Sequence, residues 1–133
     1  MVRYGALTAM LLSLSLAGCG GPKDQSPTTD TTTADTPAKP VAFAACAACH
    51  SVSAGQNGIG PSLAGVFERK AGSMAGFDYS AAMKASGKVW DETTLDTFLT
   101  SPMAAVPGTR MTYMGQSDPA KRKTVIDYLK TLK

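Results

Sequence analysis

Five consecutive residues carry the densest chemistry in the chain: Cys46-Ala47-Ala48-Cys49-His50. Two thiols three positions apart share one face of a helical turn, and an imidazole follows directly. Three chemistries use such a thiol pair. A dithiol oxidoreductase needs a βαβ setting and a helix start that stabilises the thiolate, and no such pattern surrounds the motif. A structural zinc site needs four ligands, but the segment 41–133 offers two Cys and one His. The third chemistry is covalent attachment of haem, whose signature is Cys-x-x-Cys-His. Each S–H adds across one vinyl group of the same porphyrin, and the next residue turns its imidazole to the iron. His50 is the only histidine among 133 residues, so the reading is Cys46 and Cys49 on haem c and His50 on iron. No histidine is then left as a general base and, with Cys19 assigned to lipid below, no thiol as a nucleophile, which argues against hydrolytic or covalent catalysis.

A low-spin electron carrier needs a second axial ligand, and methionine sulfur is the usual partner of histidine. The candidates are Met74, Met83, Met103, Met111 and Met114. Most methionines in small domains fill core gaps. Met111 is set apart by its context, the turn-rich loop Pro107-Gly108-Thr109-Arg110-Met111, because a loop can lay a thioether against a metal more easily than a helix interior can.

The remaining cysteine, Cys19, lies elsewhere. Arg3 and the apolar run Gly5 to Leu16 read as the start of an export signal; a run of about a dozen residues is too short for the roughly 20 needed to span a bilayer. It ends in Leu16-Ala17-Gly18-Cys19, which resembles the lipobox of bacterial lipoproteins. Residues 1–18 are therefore expected to be a cleaved signal peptide, with Cys19 lipidated as the first mature residue. Residues 19–40 follow as a linker: Gly20 to Pro40 holds four Pro and six Thr and no Leu, Ile, Val, Phe, Met or Trp. Such a stretch buries nothing and is expected to stay disordered, with a reach of about 25 Å.

The elements that position these residues must come from 41–133. Net charge there is ten basic minus seven acidic residues, +3, with no basic tract of the kind nucleic-acid binding requires. One Trp, four Phe and four Tyr in the whole chain make a thin core, and small domains of that kind are stapled by a disulfide, a metal or a prosthetic group. The pattern predicts an all-α fold: a short helix over 41–50, Ω-like loops over 51–78, and a short helix over 79–86 stopped by Gly87. A further helix is capped by Asp91 and ended by Pro102, with Leu95, Phe98 and Leu99 on one face. The last begins at Asp118-Pro119 and runs to about Leu132, with Val125, Leu129 and Leu132 inward and Lys121, Arg122 and Lys123 in solvent.

The segment Val41 to Lys133 resembles class I cytochrome c of the mitochondrial and cytochrome c2 type. The likeness runs in order through Cys46–His50, Gly60-Pro61-Ser62-Leu63, Gly65 to Gly72, Phe77 to Ser80, Trp90, Leu95 to Leu99, Pro107 to Met111 and Tyr128-Leu129. It implies four to five short helices and loops around one covalent haem, with Met111 as sixth ligand and Met114 as runner-up. It also implies that the Pro61 carbonyl receives the second N–H of His50. Arg69, Tyr79 and Trp90 would hold one propionate and Thr109 the edge beside it, while Leu63, Leu99 and Leu129 pack the wall. There are three departures from the family pattern. Phe98 stands where a tyrosine hydroxyl often meets the methionine sulfur, Met83 replaces a common Asn, and the Met-bearing loop has no lysine. The implied activity is not enzymatic. It is a monomeric, membrane-tethered periplasmic carrier cycling iron between Fe(II) and Fe(III), between a cytochrome bc complex and a terminal oxidase. The rival reading is a haem peroxidase or gas-ligand sensor with a labile sixth ligand.

Overall fold

The structure is a computed structural model and describes residues 38–133; the expected export signal, the expected lipid site Cys19 and most of the expected linker lie outside the described residues. A 3-10 turn, Val41–Phe43, leads into α1 (Ala44–Ala47). Then come α2 (Ala81–Ala85), α3 (Glu92–Thr100), α4 (Pro102–Ala105) and α5 (Pro119–Thr131). Among the described residues there is no strand beyond a single bridge between Lys70 and Val89. No helix among them is long and apolar enough to cross a membrane. The expected all-α class and helix order hold.

Each longer helix starts where its sequence offers an oxygen to the free N–H groups. The Asp91 carboxylate accepts from the Thr94 N–H at 2.7 Å, and that of Asp118 from the Ala120 and Lys121 N–H groups at 2.9 and 3.3 Å. Caps of this kind contribute about 1 kcal/mol each. Ser80 does the same for α2, and Gly87 closes that helix at φ 65°, a left-handed conformation glycine adopts without penalty.

α3 packs against both α4 and α5, and the opening 3-10 turn packs on α5. Phe43 is fully buried and meets the Tyr128 ring edge-on, centroids 4.8 Å apart; Trp90 lies 4.8 Å from Phe98. These aromatic pairs, with Leu95, Leu99, Ile126 and Leu129, form the core on which the loop from Ser51 to Ser80 is laid.

Three expectations need correction. The segment over 41–50 is not one helix: the α-helical part stops at Ala47, with a turn over Ala48 and Cys49. Pro102 does end α3, but it also opens α4, filling the first-turn position where a missing N–H costs nothing. Arg122 is not in solvent; it is 9% exposed.

Candidate functional site

α1 and its following turn present Cys46, Cys49 and His50 to one cavity of about 390 Å³, within the range of ordinary cofactor sites. The backbone explains the presentation. The Cys46 carbonyl accepts from both the Cys49 and the His50 N–H, at 3.1 and 2.9 Å, which wraps the motif into one turn. Both thiols are free and half-buried, and burial pushes the Cys46 thiol up from its ordinary value.

The imidazole is held from two sides. Its Nδ1–H donates to the Pro61 carbonyl at 2.7 Å. A carbonyl only accepts, so this bond fixes the proton on Nδ1 and leaves the Nε2 lone pair as the donor to a metal. On the other side Gly60 lies flat against the ring, and a Cβ there would collide with the ring atoms. The loop is itself fastened. The Gly60 N–H donates to the Cys49 carbonyl at 2.9 Å, and the Asn57 amide oxygen accepts from the Ser62 N–H at 2.9 Å.

The opposite wall comes from the loop after α4. Gly108, at φ 89°, turns the chain over Ala82, and the Thr109 hydroxyl accepts from the Met111 N–H at 3.3 Å. Met111 and Met83 are the methionines that line the cavity. Met114, the runner-up ligand, is 91% exposed and Met103 55%, and neither lines it. Phe98 lines the same cavity as Met83, so these two of the three departures from the family pattern lie against the site.

Arg69, Tyr79, Trp90 and Thr109 also line the cavity, as do Leu63, Leu99 and Leu129. The Trp90 indole N–H has no protein acceptor among the described residues and remains available to a bound group. Arg69 also has partners within the polypeptide. Its two terminal nitrogens donate to the Ala64 and Ser62 carbonyls at 2.8 and 2.9 Å. Its first task is therefore to brace the loop, while its charge stays at the wall. Burial lowers the Arg69 pKa and raises that of Tyr79, and the Arg69 charge partly offsets the latter.

Tyr113 and Ile59 are among the lining residues that escaped sequence reasoning. Tyr113 borders the cavity two positions past Met111, and burial raises its phenol pKa. Ile59 stands at the mouth, 82% exposed. Neither belongs to a periodic pattern; the pointer in the sequence was nearness to Met111 and to Gly60.

The donor set fits an iron porphyrin. Two thiols, an imidazole with a fixed tautomer and a thioether line one largely apolar cavity, and the glycine beside the ring leaves no room for any other residue. Among the described residues no group of three or more His, Cys, Asp or Glu gathers elsewhere.

Comparison with known proteins agrees with this geometry. The family model for cytochrome c matches residues 36–133. Cytochrome c2 iso-2 of Magnetospirillum molischianum is 52% identical over 94 residues, covering 71% of this chain and 97% of that protein. Cytochrome c2 of Rhodoblastus acidophilus is 49% identical over 92 residues, covering 68% and 86%. Among solved structures, cytochrome cH from Methylobacterium extorquens superposes with a TM-score of 0.64 at 47% identity, covering 68% of this chain and 91% of that one. A match over that much of the chain, together with a cavity built on Cys46, Cys49 and His50, places this protein in the cytochrome c family, as a class I c-type cytochrome carrying covalent haem c.

Proposed function

We propose that this cytochrome c2-like electron carrier is anchored to a bacterial membrane by lipid on Cys19, and that it works in the periplasm between a cytochrome bc complex and a terminal oxidase. In this reading residues 1–18 are removed, 19–40 form the tether and 41–133 form the redox domain. The observation that carries the electron-transfer reading is the meeting of His50 and Met111, from segments 61 residues apart, on one cavity that also receives both thiols.

The haem supplies the one-electron couple. The polypeptide does the rest. Cys46 and Cys49 would hold the group covalently, with His50 donating through Nε2 and Met111 through sulfur. Pro61 keeps the imidazole in one tautomer in both oxidation states. Core residues such as Phe43, Leu95 and Phe98 exclude water, which limits reorganisation when the charge changes.

The rim of the cavity suits a partner with little charge. Ala45, Ile59 and Thr112 are exposed and uncharged, while the two charged rim residues, Arg110 and Asp78, pair with each other at 3.1 Å. None of the described lysines lines the cavity. A tether replaces long-range steering, since a short flexible linker holds its domain at effective concentrations on the order of mM.

The exported protein should be red, with haem that survives denaturation. Its ferrous form should not bind carbon monoxide at neutral pH, whereas Met111→Ala should bind it. Carbon monoxide binding by the unaltered protein would favour the gas-sensor or peroxidase reading. Cys19→Ser should move the haem protein from the membrane to the soluble fraction; unchanged fractionation would remove the lipid anchor.

A further inference from the structure

The loop that carries Met111 is sparsely fastened. Between Thr109 and Gln116, the only backbone N–H with a protein partner among the described residues is that of Met111 itself, donating to the Thr109 hydroxyl. Residues 112–115 contribute no such bond, and Met114 projects into solvent. The placement of the thioether therefore depends on how the two ends of this stretch are held.

The entry end is a turn, with the Thr109 N–H donating to the Val106 carbonyl at 3.0 Å, and Val106 is buried. At the exit end the Gln116 N–H donates to the Leu99 carbonyl at 2.8 Å. The Gln116 and Ser117 carbonyls then both receive the Nη1 of Arg122, each at 2.9 Å. The rest of the same guanidinium forks onto Asp96: Nε to Oδ1 at 2.7 Å and Nη2 to Oδ2 at 3.3 Å. Arg122 thus ties the end of the Met111 loop to α5, which bears it, and to α3, which bears Phe98 and Leu99 of the cavity wall. Only a planar five-donor fork can serve a carboxylate and two carbonyls together. The exposed Arg110–Asp78 pair cannot substitute, because pairs of that kind hold little.

We propose that Arg122, with Asp96, is the positioning residue for the methionine ligand: it sets how readily the stretch 110–115 swings out and uncovers the iron. This rests on Met111 as the sixth ligand. Losing the clamp should raise the population of the open loop without removing any atom from the cavity.

The test is imidazole titration of the ferric holoprotein. Imidazole competes with the thioether, so its apparent affinity scales with the open fraction. Arg122→Gln should bind imidazole about tenfold more tightly than the unaltered protein. Asp96→Asn, which keeps both carbonyl contacts, and Arg122→Lys, which keeps the charge but loses the fork, should each do so about threefold. The control is Ile126→Ala, on the same helix, 2% exposed and away from the cavity lining. It should lower the thermal midpoint yet leave imidazole affinity within about twofold. In parallel, hydrogen exchange at the Gln116 amide should quicken in the Arg122 variant and not in Ile126→Ala.

Unchanged imidazole affinity in Asp96→Asn and Arg122→Lys would overturn the proposal, as would an equal gain in Ile126→Ala. Should Arg122→Gln fail to fold, those two variants decide. If Met111→Ala keeps the thioether-to-iron absorption band, the ligand assignment itself has failed. If that band is lost but the clamp variants behave like the unaltered protein, only the present inference falls.

Discussion

Replacing Gly60 by alanine would drive a methyl group into the His50 ring. The ring cannot retreat without breaking the bond to the Pro61 carbonyl. Overpacking of this sort costs about 2 kcal/mol, which in a domain of this size lowers the thermal midpoint by about 8–16 °C. Calorimetry of Gly60→Ala holoprotein measures it directly. Glu68 offers the reverse experiment: it is the one described non-glycine residue at positive φ, 63°, and its side chain is exposed. Glu68→Gly should relieve about 1 kcal/mol of backbone strain and raise the midpoint by about 4 °C. The attachment motif could be named from the sequence because its chemistry is written in residue type and short spacing; Pro61 was implied only by the family resemblance, and Met111 by that resemblance together with its turn-rich loop. Arg122 could not be named. Flanked by Lys121 and Lys123 it looks like a solvated face, and what buries it is a carboxylate 26 positions away and two backbone carbonyls.

Helices α3 and α5 were legible for local reasons: an Asp at each cap and apolar residues at helical spacing. α4 was not, because a proline both stops one helix and starts the next, and nothing local distinguishes the two roles. The loops were legible as loops, but not in their fastening. One such fastening predicts a pH response. Asp78 joins the Met111 loop to α2 through Arg110 at 3.1 Å and Lys84 at 3.4 Å. The Arg110 hydrogen bond first, then that of Lys84, holds its carboxyl below the usual carboxylate value. A group whose folded pKa is depressed contributes stability above its unfolded pKa, about 3.9, and loses it as pH falls through the lower folded value. The stability difference between the unaltered protein and Asp78→Asn should therefore be present at neutral pH and vanish on acidification below about pH 4. A set of thermal midpoints from pH 7 to pH 3 reads this out.

For the molecule as a whole, the charges at the rim of the redox site, Arg110 and Asp78, pair with each other. Lys121 and Lys123 on α5 face Asp118 and Asp127, and Lys130 reaches Glu92. Electron exchange with a redox partner should then change little as salt rises. A steep fall in turnover between low and physiological ionic strength would contradict the neutral rim. A second consequence concerns alkaline pH. No described lysine lines the cavity, and the residue next to Met111 in its loop is Arg110 rather than a lysine. The near-infrared band of the methionine–iron bond should persist well into the mildly alkaline range; its early loss would show another ligand taking over.

The bidentate union of Arg122 with Asp96 also sets a rule for recombining such proteins. A terminal helix grafted alone from a relative would arrive with a guanidinium and no counterion, or leave a carboxylate stranded at the seam. Crossover points that keep Asp96, Gln116, Ser117 and Arg122 from one parent should yield well-ordered hybrids, and those that split the quartet should yield hybrids that fold yet release their sulfur ligand.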